Sequence, residues 1–457
     1  MIPTLKDEIK NVHHKSLSYS AIQLFVKPFF HLYFNKYKIN GYDKNFRNMP
    51  IIYIINHQST FVDALTMVFH DFGRQNVFIA RADVFKKKMA RRFLLTVKIL
   101  PIFREHDGVD VSIENQVISN QCEKIIFDNK SFGIYPEGTH HGKLYLRKLK
   151  KGFARMALDM AEKSNYEKEI YIVPVGLNYS NLYEGNSDIL VNYGKPILLS
   201  DYFDLSAENK AKAILKLTND SFEHLKKLMV HVEDNTNYEF YDAIRKFATA
   251  EKINQLNLKY DALENEFISQ NEVLKKAHQY FSENENKKEF LEPIISKYFQ
   301  INERYKLNFQ LFDEYSKKPS FVELSLLLFL LSPFVLISWL HYFLPSIFIR
   351  KQVKKIFKDK LFHQAGKFAL GVIFMPVFIL LLAAMLLVVG FKLKFVLLYI
   401  LIQPFWFKFH RRFENYRQLW NDYRNNAVFK KKNLKEYNEF MALKLAIRNV
   451  LKEGKII

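Results

Sequence analysis

The spacing of apolar residues predicts an α/β protein: a mainly parallel sheet flanked by helices, followed by a helical extension and C-terminal membrane helices. Two observations carry this expectation. Between about residues 50 and 200, short apolar runs at 51–55, 77–80, 99–103, 132–135, 170–177 and 189–193 alternate with helical periodicity, and strands alternating with helices build parallel sheets. Past residue 320 the apolar residues gather into long runs at 324–349 and 368–391. Each exceeds the roughly 20 residues a helix needs to cross a bilayer.

Composition narrows the partners. A chain of 457 residues exceeds one ordinary core, and 68 Lys+Arg against 47 Asp+Glu leave a net charge of +21, which favours a polyanionic partner. With 43 Phe, 25 Tyr and clustered apolar runs, that partner is expected to be a membrane with anionic lipids. No nucleic acid is expected, because no groove-reading motif is present. Cys122 is the single cysteine, so no intramolecular disulfide forms and the soluble part is expected in the cytosol. It sits in a helical pattern and reads as a packing residue. The N-terminal segment carries acids before any apolar stretch and no small-residue cleavage pattern, so it is read as part of the mature chain.

Residues 1–40 are expected to form an amphipathic or interfacial helix. From 17 to 37 nearly every residue is apolar or aromatic except Gln23, Lys27, His31 and Asn35, whose spacing puts them on one stripe. A helix lying in the headgroup region, bent at Pro28, and an ordinary core helix are both consistent with that pattern. Residues 41–205 are the α/β domain. Residues 206–320, rich in Lys, Glu and Asn with helical spacing, read as a charged and solvated helical extension.

Residues 321–409 are expected to form membrane-embedded hairpins. The reason is charge: the connector 350–367 carries Arg350, Lys351, Lys354, Lys355, Lys358, Lys360 and Lys367 against Asp359, and such a segment stays cytoplasmic. The stretch 324–349, interrupted by Pro333 and Pro345, would then enter and leave on one side. A second hairpin would join 368–391 to the short run 395–407 around Lys392 and Lys394. The remaining 410–457 form a basic cytoplasmic tail. The expectation is an integral membrane protein with its α/β domain on the cytoplasmic side.

In parallel sheets ligands sit beyond the carboxyl ends of the strands, and here polar residues follow those ends. Strand 51–55 is followed by Asn56-His57-Gln58-Ser59-Thr60-Phe61-Val62-Asp63. A carboxylate close to such a histidine fixes its tautomer and leaves the other ring nitrogen free as a base. Thr60 and Asp63 also fit a helix capping box, a purely structural reading. After 132–135 comes Pro136-Glu137-Gly138-Thr139-His140-His141-Gly142, a turn where backbone amides can approach a ligand and Glu137 can accept from hydroxyls. Arg104 follows the run 99–103, and Arg147, Lys148, Lys150 and Lys151 precede Gly152. They are cations suited to a phosphate or to a solvated surface.

These segments resemble, in order, the blocks of the glycerolipid acyltransferase family: Asn56-His57 through Asp63, Ile102-Phe103-Arg104, Tyr135-Pro136-Glu137-Gly138-Thr139 and Val173-Pro174-Val175-Gly176-Leu177. The resemblance spans roughly residues 40–200. It implies His57 and Asp63 as the catalytic dyad, with His57 as general base. It also implies that Asn56, Arg104, Glu137, Gly138, Thr139, His140, Lys150 and Lys151 surround the acceptor, and that Pro174 lies in a block shaping the acyl pocket. The implied reaction moves a fatty acyl group from acyl-CoA or acyl carrier protein to glycerol 3-phosphate, 1-acylglycerol 3-phosphate or another lysophospholipid, in phospholipid synthesis. Acyl phosphate is a further donor. No cofactor and no metal are implied.

Two departures from the family pattern stand out. Five residues separate His57 from Asp63 where four are common, and His140 stands where many members carry arginine. The second shifts phosphate neutralisation toward Arg104 and Lys150 or Lys151, and leaves room for a lysolipid with another head group. A non-catalytic membrane scaffold retaining the fold is the rival class.

Overall fold

The computed structural model describes residues 8–70, 74–108, 110–260, 262–312 and 319–457. The first seven residues of the N-terminal segment and residues 313–318 of the expected extension lie outside the described residues.

Helix α1 (Leu17–Tyr33) is capped by Ser16, whose Oγ accepts from the Tyr19 N–H at 3.2 Å. The helix expected to reach residue 37 stops at Tyr33, because Phe34 is extended and strand β1 (Tyr37–Asn40) follows. Its polar stripe marks the solvent face only in part, at His31. Gln23 is buried and its Nε2 donates to the Val68 carbonyl at 2.7 Å, whereas Leu17, Leu24 and Phe25 are exposed. The helix thus packs one face on the core through Tyr19, Gln23 and Phe30 and turns apolar side chains outward.

The chain then runs β2 (Ile51–Ile55), α2 (Thr60–His70), β3 (Val77–Arg81), α3 (Lys88–Thr96), β4 (Ile99–Ile102), α4 (Val111–Phe127), β5 (Ser131–Ile134), α5 (Gly152–Lys163), β6 (Tyr171–Tyr179), β7 (Ile189–Tyr193) and β8 (Ile197–Leu198). The sheet order is β1-β7-β6-β2-β5-β3-β4, with β8 also paired to β6. All described pairs are parallel except β6 with β7 and β6 with β8. Strand β2 is buried at every position, as a strand covered on both faces must be. Successive side chains alternate faces. Ile52 and Ile54 therefore pack with Ile118, Cys122 and Phe153 on one face, and Ile51, Tyr53 and Ile55 with Phe30, Val62 and Met67 on the other. Cys122 is fully buried, and burial pushes its thiol up to about 12.

Helix α6 (Phe203–Lys226) contributes Ala213, Ile214, Leu217 and Leu225 to this core. The α/β unit therefore runs past the expected end at 205 to Met229, and it also takes in Val353–Val372.

Val230–Gln352 and Ile373–Ile457 form a second compact unit. It contains α7 (Tyr238–Gln255), α8 (Leu263–Glu283), α9 (Glu285–Arg304), most of α10 (Phe321–Ile356) and of α11 (Leu361–Val388), α12 (Leu393–Lys432) and α13 (Leu434–Glu453). The charged extension is not a solvated spacer, nor is the C-terminal segment a free tail. Tyr298 stacks on Phe440 at 4.4 Å, and Arg448 pairs with Glu251 at 2.8 Å. Apolar residues every third or fourth position gave both segments a buried stripe.

Helix α10 continues through Pro333 and Pro345, so the expected proline-broken hairpin does not form. A proline removes one N–H, but apolar helices accommodate it by local adjustment of the freed carbonyls. The run 395–407 is likewise the opening part of α12, not a short return. Phe321–Trp339 and Leu361–Val388 are long and apolar enough to cross a membrane.

Candidate active site

The parallel strands end on one rim, which brings together the loops after β2, β3, β4 and β5. At the end of β2, Asn56 is fully buried. Its Nδ2 donates to the Leu177 carbonyl at 3.0 Å while its Oδ1 accepts from the Leu177 N–H at 2.6 Å. Asn56 therefore ties β2 to β6. Contrary to the expected substrate contact, its amide is occupied by backbone.

His57 follows, with its side chain 19% exposed and its Nδ1 2.8 Å from Asp63 Oδ2. The buried Asp63 also accepts from the backbone N–H groups of Gln58 and Ser59 at 3.0 Å each, and its Oδ1 accepts from Tyr179 OH at 2.6 Å. An ionised carboxylate is acceptor-only, so the Nδ1–H of His57 donates to it and Nε2 is left with a lone pair. The capping box expected of Thr60 and Asp63 does not form: Asp63 Oδ2 serves the histidine and the Gln58 and Ser59 amides, and Thr60 Oγ1 has no partner among the described residues. Between His57 and Asp63, Thr60 begins α2 with φ of 45°. That region is costly for a β-branched residue.

Glu137 does not reach outward to an acceptor hydroxyl. It is buried, and its oxygens accept from the His57 N–H at 2.7 Å and the Arg147 N–H at 3.1 Å. It fixes the loop after β5 against the loop after β2. Gly138 has φ of +73°, with Lys150 packed across it, and Thr139 Oγ1 accepts from Arg147 Nη1 at 2.6 Å. Arg147 and Lys150 are thereby gathered at this turn. Lys151 caps α5 and is exposed, and no contact brings it to His57.

Arg104 stands at the end of β4, three strands from β2 in the sheet order, or roughly 14 Å at the usual strand spacing. Its Nη2 lies 3.8 Å from Asp83 Oδ2, which also accepts from Arg81 Nη2. Arg81 ends β3, so two guanidiniums share one carboxylate along the rim. Pro174 is buried within β6 opposite Ile54, against Gly194; its place is in the sheet core.

Residues of the connector complete the rim, and none of them carried a local sequence signal. Gln364 is fully buried. Its Oε1 accepts from Ser59 Oγ at 3.1 Å, while its Nε2 donates to Glu184 O at 2.6 Å and Ser187 Oγ at 2.9 Å. The His140 ring lies 5.5 Å from that of His57 and 5.1 Å from Phe362, with Nε2 3.7 Å from Asp359 Oδ2. Burial, with His57 adding to it, holds His140 below the ordinary histidine range, so at neutral pH it offers a polar ring and not a charge. Tyr135 lies 4.6 Å from His57, ring to ring. Burial, reinforced by Asp63, keeps the phenols of Tyr135 and Tyr179 far above their usual range, hence protonated. Among the described residues, no group of three or more His, Cys, Asp or Glu is arranged to hold a metal ion.

The arrangement can remove a proton from a hydroxyl at Nε2 of His57 and stabilise the imidazolium through Asp63. A model of the Acyltransferase family matches residues 36–178. Glycerol-3-phosphate O-acyltransferase 2 of Saccharomyces cerevisiae is 28% identical over 125 residues, covering 25% of this chain and 17% of the yeast protein. Glycerol-3-phosphate O-acyltransferase 1 of the same yeast is 27% identical over 139 residues, or 29% and 18% of the two chains. The similarity thus spans less than a fifth of either relative's length. The crystal structure of the 1-acyl-sn-glycerophosphate acyltransferase of Thermotoga maritima aligns with a TM-score of 0.30 at 19% identity, covering 46% of this chain and 79% of that one. The segment 36–178, which the Acyltransferase family model matches, holds the His57–Asp63 pair and the Glu137 turn.

Proposed function

We propose that the protein is a membrane-associated O-acyltransferase that transfers a fatty acyl group from acyl-CoA or acyl carrier protein to the hydroxyl of glycerol 3-phosphate or 1-acylglycerol 3-phosphate. The observation that carries this reading is the 2.8 Å contact between His57 Nδ1 and Asp63 Oδ2 at a partly open strand end. In the proposed step Nε2 of His57 takes the proton of the acceptor hydroxyl as its oxygen attacks the thioester carbonyl. When the tetrahedral intermediate collapses, the carbon–sulfur bond breaks and the imidazolium returns its proton to the departing thiolate. Asp63 favours the imidazolium through charge and fixes the ring's orientation. Arg147 and Lys150 at the Glu137 turn, with Arg81 and Arg104 farther along the rim, are the cations for the acceptor phosphate.

Membrane association rests on α11 and the opening of α12, whose side chains Leu380, Leu381, Leu401 and Phe405 are exposed. The basic connector packs within the catalytic unit, which supports His57 facing the cytoplasmic leaflet, where basic segments are retained. An assay offering labelled glycerol 3-phosphate and lysophosphatidate tests the reading, with His57→Ala as control. Consumption of neither acceptor overturns it. A second reading, a lysolipid with an amine in its head group, draws on the Asp359 carboxylate beside His140. It is tested by adding such a lysolipid to the same assay.

A further inference from the structure

At the opposite end of the sheet, where β2, β3, β4 and β5 begin, lies a cavity of about 520 Å³ that the acyl-transfer reading does not use. The strands between are about five residues long, which separates it from His57 by roughly 17 Å. Lys15, Arg47, Arg74, Lys98 and Lys130 line it, and among its described lining residues Asp128 is the carboxylate. The floor is polar and closed: Lys98, Asn76 and Ser131 are buried, with Ser131 Oγ donating to Asn76 Oδ1 at 2.7 Å. Backbone carbonyls hold two of the cations in place, since Lys98 Nζ donates to His14 O at 2.6 Å and Lys130 Nζ to His13 O at 2.9 Å. A carbonyl orients an ammonium but does not neutralise it. Asp128 is engaged by Lys130 at 3.0 Å, and Nη2 of Arg74 is buried with no hydrogen-bond partner among the described residues. Burial and the nearby Lys130 push the Lys98 ammonium down to about 8, the direction expected where positive charge has been gathered without its counter-ion.

We propose that this cavity is a second, non-catalytic site that binds a small, multiply charged anion of the phosphate-monoester class. Buried cations are ordinarily paired; Asp128 serves Lys130, and a dianionic phosphate gives Lys98 and Arg74 the charge-assisted partners that the lining does not supply. The volume falls within the range of small-molecule sites. Asn48 and the Nδ2 of Asn129 on its walls offer amides to hydroxyls of the ester. The phosphate can arrive as a soluble metabolite or as the head group of a phosphatidate.

The test uses the full chain in neutral detergent at constant ionic strength. Hydrogen exchange and calorimetry are followed with inorganic phosphate and adenosine monophosphate in one arm, and with micelles containing phosphatidate in the other. Binding near 1 mM or tighter is expected in at least one arm, with slowed exchange at residues 12–16, 47–50, 74–76 and 128–131. The Lys98→Gln/Lys130→Gln variant is expected to bind about tenfold more weakly. Should that variant not fold, Lys15→Gln, at the rim, is expected to weaken binding about threefold. Arg104→Gln and Lys150→Gln, which disable the proposed acceptor clamp, should leave the effect intact, and this separates its failure from failure of the acyl-transfer reading. Absence of binding in both arms, equal protection by chloride, or protection lost with Arg104 and Lys150 but kept without Lys98 and Lys130 overturns the proposal.

Discussion

His57 and Asp63 could be singled out because both lie within one short segment following an apolar strand. What could not be read there is how Asp63 is held. Tyr179, its donor through OH, is 116 residues away, and only folding brings β6 beside β2. His57→Ala is expected to lower acyl transfer by about 10²–10⁴-fold with little change in melting temperature. Asp63→Asn should lower it comparably and also cost about 1–3 kcal/mol, because the Gln58 and Ser59 N–H groups lose an ionised acceptor. Tyr179→Phe removes a single donor and should reduce kcat about tenfold, with KM largely kept. Thr60, with φ of 45° and a buried Oγ1 lacking a partner among the described residues, should be replaceable by glycine with a gain of about 1 kcal/mol in a thermal melt.

Among the elements, the buried parallel strands were legible as continuous apolar runs, and two of them, Ile51–Ile55 and Ile189–Tyr193, match the expected limits. Strand β1 was not, since Tyr37-Lys38-Ile39-Asn40 is short, partly polar and directly follows a helical pattern. Gly176 explains part of the Val173-Pro174-Val175-Gly176-Leu177 block: a Cβ there would sit 2.1 Å from the Leu228 carbonyl oxygen. Gly176→Ala should therefore cost about 2 kcal/mol or more in a denaturation experiment, unlike Gly152→Ala, where the space is open. Gln364 lies 305 residues from Ser59, beyond any local pattern. Gln364→Leu leaves buried backbone carbonyls and a hydroxyl without their partner, and should cost about 2–3 kcal/mol in the same experiment.

Lys98 gives a pH signature. Its folded-state value of about 8 lies below the 10.5 of the unfolded chain. Below pH 8 both states bind the proton and the penalty is complete. Between 8 and 10.5 the unfolded state binds more protons, so stability rises with pH. Wild type should gain on the order of 1–3 kcal/mol relative to Lys98→Met as pH rises through that window, as followed by denaturant titration.

For the whole molecule, the apolar runs pointed to two helices long enough to cross a membrane but not to the continuity of α10, because a proline that breaks a helix in water is accommodated within an apolar one. The division into two units was also hidden. Val353–Val372 joins the α/β unit from far along the chain, and the two charged helical segments share aromatic packing that their charge concealed. The protein is expected to stay with membranes in high salt and to leave them in detergent, as sedimentation of the fractions will show.

The account stands most directly on acyl transfer itself, measured with a labelled long-chain acyl-CoA and glycerol 3-phosphate or lysophosphatidate, for wild type and His57→Ala side by side. It predicts a labelled ester product with one of the acceptors, falling by about 10²-fold or more in the variant. Equal rates in the two proteins would contradict it.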